Sequence, residues 1–132
     1  MDKIPETIDQ NDLKYWISMF GKTSLNIRLE LTKKIIKLGA KAVPDLIDGL
    51  NHTTWSVRQD CANALAIIGD DRAINPLKNT LFDKEKGVRF ESARAIAKIG
   101  GDEDKQFLIQ IAKETPDDEF RRFIFDCLTD SD

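Results

Sequence analysis

At 132 residues, 41% hydrophobic and 33% charged with a net charge of −3, the chain has material for one core-bearing domain and too little for two catalytic ones. No apolar run approaches the roughly 20 residues that cross a bilayer, so no membrane span is expected, and the acidic balance opposes a general polyanion binder. Asp2, Glu6 and Asp9 sit where a signal peptide needs a basic and then an apolar segment, which leaves a cytoplasmic location as the expectation.

Residues 1–8 read as a flexible polar leader, with Pro5 opposing an early helix. From Asp9 to Phe20 the side chains of Leu13, Trp16, Ile17 and Phe20 recur at the spacing of a helix with one buried face, and Gly21 ends it. Thr23-Ser24 open a second helix that carries Ile27, Leu31, Ile35 and Leu38 inward and stops at Gly39. Ala42 to Leu50 follows, with Val43, Leu46, Ile47 and Leu50 inward and Pro44 tolerated in the first turn. Thr53-Thr54 cap a helix from Trp55 to Ile68 that Gly69 closes, and Asp70-Asp71 lead into one from Ile74 to Phe82. Asp83 to Lys86 precedes a helix from Gly87 to Ile99, closed by Gly100-Gly101. Asp102 to Lys113 is the next, and Thr115-Pro116 start a last one that reaches Thr129, before a loose tail at 130–132.

These helices repeat. Ile27-Arg28, Val57-Arg58, Val88-Arg89 and Phe120-Arg121 recur at separations of 30, 31 and 32 residues. From each pair, apolar or small residues return at offsets of four, eight and eleven: Leu31, Ile35, Leu38; Cys61, Leu65, Ile68; Ser92, Ile96, Ile99; Ile124, Leu128. At roughly 100° per residue those offsets form a single core-facing stripe. Trp16 and Phe20 precede Arg28 as Leu46 and Leu50 precede Arg58, so Asp9 to Phe20 is the second helix of an incomplete unit. The expected fold is all-α, an α-solenoid of about four helical hairpins and roughly eight helices. One domain, 9–129, divides into a capping half-repeat 9–20, hairpins 24–50, 54–82 and 85–113, and a terminal half-repeat 116–129. The last helix carries Phe120, Phe123, Ile124, Phe125 and Leu128, more apolar surface than one flank needs, and this predicts dimerisation or end-to-end docking through it.

The order of a Val-Arg pair, an Ala-containing helix, an Ile-Gly stop, an Asp-rich turn and Ala-Ile-x-Pro-Leu resembles the short HEAT-like repeat, the phycobilin-lyase type. It reads WSVRQDCANALAIIGDDRAINPLKNTLFD from Trp55 and GVRFESARAIAKIGGDEDKQFLIQIAK from Gly87. The resemblance is strong over 54–113, fair over 24–53 and weak at both ends. It implies a right-handed superhelix with first helices on the convex side and second helices on the concave one. It also implies a structural ladder in which the Arg after Val pairs with an Asp six residues earlier. Asp83 and Arg89 match that; His52 and Lys22 stand in the Asp place before Arg58 and Arg28, so the ladder is expected to break in those turns.

Little in the sequence carries chemistry. The one histidine, His52, lies in a turn with no serine placed beside it, and no Cys or His spacing supports a metal site. Cys61 and Cys127 fit small buried residues better than a disulfide framework. The glycines form no phosphate-cradling loop, and the acidic clusters Asp70-Asp71 and Asp117-Asp118-Glu119 sit at helix starts, where they complement the helix dipole. No catalytic residue, metal or cofactor is therefore assigned, and an enzyme is not indicated.

The outward rows of the second helices say more. They read Lys14, Pro44, Asn75, Gln106; Ser18, Asp48, Asn79, Gln110; and Gly21, Asn51, Phe82, Lys113. Amides that both donate and accept surround one aromatic anchor, Phe82, and the rows lack the several Lys or Arg that a phosphate backbone requires. A non-catalytic scaffold that binds a protein partner through this concave face is the expected function, with Asn51, Asn75, Asn79, Phe82, Gln106 and Gln110 as candidate contacts and no nucleic-acid or membrane partner. Trp55, in the turn where the next unit has Lys86, is a further candidate. The Lys33, Lys34, Lys37, Lys41 strip reads as a solvated face. The resemblance leaves two alternatives open: a lyase-like subunit handling a bilin, or a phycobilisome assembly or turnover factor; and, less favoured, a DNA-binding solenoid, which needs a basic concave face.

Overall fold

The computed structural model describes residues 3–130; the first two residues of the expected leader and the last two of the expected tail lie outside the described residues. Every regular element in that span is helical. Eight α-helices run in the order α1 Leu13–Ser18, α2 Leu25–Ile36, α3 Val43–Gly49, α4 Trp55–Ile68, α5 Ile74–Thr80, α6 Lys86–Ile99, α7 Asp102–Glu114 and α8 Asp118–Thr129. The expected helix from Asp9 to Phe20 is interrupted: 3-10 turns at Gln10–Asp12 and Met19–Gly21 flank α1, the tighter winding that closes short helices. Likewise α5 stops at Thr80 and leaves Phe82 in the turn.

Local chemistry sets the bounds. Asp9 and Asp117 accept backbone N–H groups at the starts of the first 3-10 turn and of α8. Pro44 occupies the first turn of α3, where its missing N–H costs nothing. Gly69 closes α4 at a φ of 81°, a left-handed conformation that L side chains adopt only with strain.

The helices form two layers. First helices α2, α4, α6 and α8 stack side by side, with α4 against α6 the most extensive contact, and α1 packs beside α3 in the second-helix layer. Each of α3, α5 and α7 also packs on the first helix that follows it. Between the layers runs the expected stripe: Leu31, Ile35, Cys61, Leu65, Ser92, Ile96 and Ile124 are buried. Alanines beside it, Ala62, Ala66 and Ala93, are buried where the neighbouring helix approaches. Gly49 marks a close approach, since a Cβ there would lie 2.3 Å from Cys61 Sγ. Ser92 is fully buried, and its hydroxyl is satisfied by Thr80 Oγ1 at 2.5 Å and the Val88 carbonyl at 2.8 Å. The fold is thus an α-solenoid of helical hairpins.

Both ends differ from the expectation. The described part of the leader is not free: Ile8 is buried, Ile4 packs against the core beside Trp16, Ile27 and Leu31, and Lys34 Nζ donates to the Pro5 carbonyl at 2.6 Å. Charge and Pro5 dominate the composition of that segment, but its two isoleucines pack on the core. At the other end, Phe120 and Ile124 are buried, and Phe123 and Leu128 pack against the core. Phe90 receives Phe120 and Phe123 at ring separations of 5.2 and 4.5 Å, so the apolar surplus on α8 shrinks to Phe125, 38% exposed.

Candidate functional site

The repeated arginines form the frame of the inter-repeat turns. Arg58 donates from Nη1 to the His52 carbonyl at 2.9 Å, Arg89 to the Asp83 carbonyl at 3.0 Å, and Arg121, from Nη2, to the Thr115 carbonyl at 2.6 Å. Each contact reaches six residues back and needs no particular side chain there. Carboxylates follow another rule. Asp83 pairs not with Arg89 but with Arg58 of the preceding repeat, Nε to Oδ2 at 2.8 Å and Nη2 to Oδ1 at 3.0 Å, with side chains only 9% and 10% exposed. The ladder is therefore intact at Arg58, where a break was expected, because the acid comes from the next turn.

His52 causes its gap one rung earlier. Lacking a carboxylate there, Arg28 turns to Asp60 on α4, at 2.7 and 2.9 Å. His52 itself is no bystander: its Nδ1 accepts from Thr54 N at 3.0 Å, as Asp83 Oδ1 accepts from Glu85 N at 2.9 Å, so the imidazole copies the turn-forming half of an aspartate. Glu91, in the place of Asp60 one repeat on, finds Arg58 already taken; one oxygen meets Arg94 and the other is buried with no hydrogen-bond partner among the described residues.

The second-helix layer presents the outward rows to solvent. Asn51, Asn75, Asn79, Gln106 and Gln110 are exposed, and Phe82 is 68% exposed. Lys14 and Asp48 lie 3.8 Å apart across α1 and α3, and Lys78 meets Asp104 at 2.7 Å across α5 and α7 while standing 4.9 Å over the Phe107 ring. Each of these pairs bridges two neighbouring second helices. Trp55 is 48% exposed at the start of α4, whereas Phe82 stands in the turn after α5. The periodicity did not single out Leu25 and Leu29, which are exposed on α2 at the place of Trp55 and one turn on. Their signal was available, since neither falls on the core stripe.

One hollow opens at the end of the Phe82 row. It has a volume of about 460 Å³ and lies between the turn after α5, the end of α7 and the start of α8. Leu81, Ile111 and Phe120 form its floor, with Phe82, Glu114 and Pro116 around it. Here the ladder is stretched: Arg89 Nη2 and Asp117 Oδ2 are 4.0 Å apart, and the two side chains are 25% and 40% exposed. The turn explains it, for Thr115 stands six residues before Arg121 and the carboxylate arrives two residues late.

The cysteines offer no reactive thiolate. Burial pushes the Cys61 thiol up, with Asp60 adding to the effect, and burial likewise raises the half-buried Cys127. Among the described residues no group of three His, Cys, Asp or Glu side chains could hold a metal ion, and no helix is long and apolar enough to cross a membrane. No curated protein matches the chain. A family model described as HEAT repeats matches residues 14–84 and again 43–128, overlapping spans that run through the second-helix face and the hollow beside Phe82.

Proposed function

Because the chain belongs to the HEAT-repeat family, whose members are commonly protein-interaction scaffolds, we propose that it is a non-catalytic adaptor that holds a protein partner against its second-helix face. The observation that carries this reading is Phe82, a phenyl ring 68% exposed at the end of a second helix, in a layer whose Asn51, Asn75, Asn79, Gln106 and Gln110 are exposed as well. An exposed aromatic ring can serve as an apolar anchor, and amides elsewhere on the same layer both donate to and accept from a partner's backbone. The face carries charge at Lys14, Asp48 and Lys113, too little basic character for a phosphate backbone.

The test is affinity purification from the native organism with the whole chain as bait. The Phe82→Ala, Asn79→Ala double variant is expected to lose the retained partner by about tenfold or more, the scale of a central aromatic anchor. Lys33→Ala on α2 is expected to keep it. An unchanged set of partners with the double variant overturns the reading.

A further inference from the structure

The hollow beside Phe82 differs from the equivalent turn one repeat earlier, and the difference lies in charge. In the earlier turn Asp83 and Arg58 close the rung with two hydrogen bonds of 2.8 and 3.0 Å. In the later one Asp117 Oδ1 is occupied in capping α8, accepting from Glu119 N and Phe120 N at 3.0 and 3.2 Å. Its Oδ2 stands 4.0 Å from Arg89 Nη2 and takes no hydrogen bond from a described residue. Glu114 lines the same hollow, is exposed, and has neither a hydrogen bond nor an ion pair among the described residues. Arg89 is engaged through Nη1 by the Asp83 and Lys84 carbonyls at 3.0 and 3.1 Å, and its Nη2 makes no hydrogen bond to Asp117.

We propose that this hollow receives an arginine or lysine side chain of a protein partner, its alkyl stem on Phe82 and the apolar floor and its cationic head between Glu114 and Asp117 Oδ2. The proposal rests on the second-helix face being a docking surface and states what the partner carries there. Charge complementarity sets the sign. Asp83 is neutralised by Arg58, and Arg89 is the one cation in the lining; Arg121, outside the lining, is engaged by the Ala112 and Thr115 carbonyls and by Asp118. Lys113, the neighbour of Glu114, belongs to the exposed row and not to the lining. An aromatic wall over an aliphatic floor suits a cation on a long apolar stem, which gains both burial and a cation–π contact. A compact anion gains neither.

Three fluorescein-labelled nonapeptides with a common alanine–leucine frame and a central arginine, glutamine or glutamate test this by anisotropy titration against the whole chain. The arginine peptide is expected to bind about tenfold more tightly than the glutamine peptide, and the glutamate peptide most weakly. Raising salt to about 0.5 M shrinks that advantage. Glu114→Gln with Asp117→Asn, which keeps an N-cap acceptor, abolishes the arginine preference and leaves the glutamine peptide unchanged. Phe82→Ala weakens all three. Equal binding of the peptides, tightest binding of the glutamate peptide, or an arginine preference that survives the double variant overturns the proposal while leaving the docking face intact. Absence of binding by all three overturns it too, and the affinity purification then judges the docking face independently.

Discussion

The arginines after each valine look alike in sequence and differ in consequence. Arg58 and Asp83 are almost fully enclosed, so Arg58→Ala leaves a buried carboxylate without its partner and is expected to cost about 3–5 kcal/mol. Arg89→Ala, which removes two carbonyl contacts and a stretched pair, is expected to cost about 1–2 kcal/mol. Urea unfolding of the two variants checks the order, and equal losses would contradict it. Asp83 also sets a pH dependence. Burial raises its carboxyl, but hydrogen bonds from Arg58 and the Glu85 amide, with the charges of Arg58 and Lys84, outweigh that and hold it below the ordinary carboxylate range. Unfolded, the group titrates near about 3.9. Its contribution is therefore complete above that pH and lost as pH falls through the lower folded value. The stability gap between wild type and Asp83→Asn should narrow on acidification from about pH 5 to about pH 2. The sequence singled out Arg58, Asp83 and Arg89 as a group but not their pairing, because a residue at the start of a repeat faces backward to the repeat it stacks on. His52 shows the same limit: its role as an acceptor for Thr54 N depends on turn geometry that spacing does not specify.

At the scale of elements, periodicity was a good guide where a helix has neighbours on both sides. The bounds of α4 agree with the sequence reading and those of α6 and α7 fall within a residue of it, since each carries the stripe, a polar start and a defined stop. It failed over residues 4–8, which lie outside the repeated pattern that marks the apolar positions elsewhere. Ile4 and Ile8 sit in a segment whose charges hide them, yet they complete the core beside Trp16. Ile8→Ala is expected to cost about 2–4 kcal/mol, whereas Leu29→Ala, at an exposed site on α2, should change stability by less than about 0.5 kcal/mol. Thermal or urea unfolding distinguishes them; a neutral Ile8→Ala would mean that the leader is dispensable. The thiols report on the same packing. With Ellman's reagent in native buffer, Cys61 should stay unreactive until the chain unfolds, while the half-buried Cys127 reacts slowly.

For the whole molecule, repetition supplies rigidity and the departures from repetition supply specificity. Neighbouring repeats are tied by the arginine contacts, Arg28 with Asp60 and Arg58 with Asp83, while the second helices carry the outward rows. Phe82 was legible in the sequence as the one aromatic in those rows. The hollow beside it was not, because it arises from a carboxylate displaced by two residues in the 115–117 turn and from a distance of 4.0 Å that no pattern encodes. Site-specific photocrosslinking in cells of the native organism tests the docking face most directly. With the photoreactive residue at position 82, discrete adducts to a recurring protein partner are predicted, and with it at position 33 on α2 none to that partner. Adducts to the same partner from position 33 but not from position 82 would contradict the account.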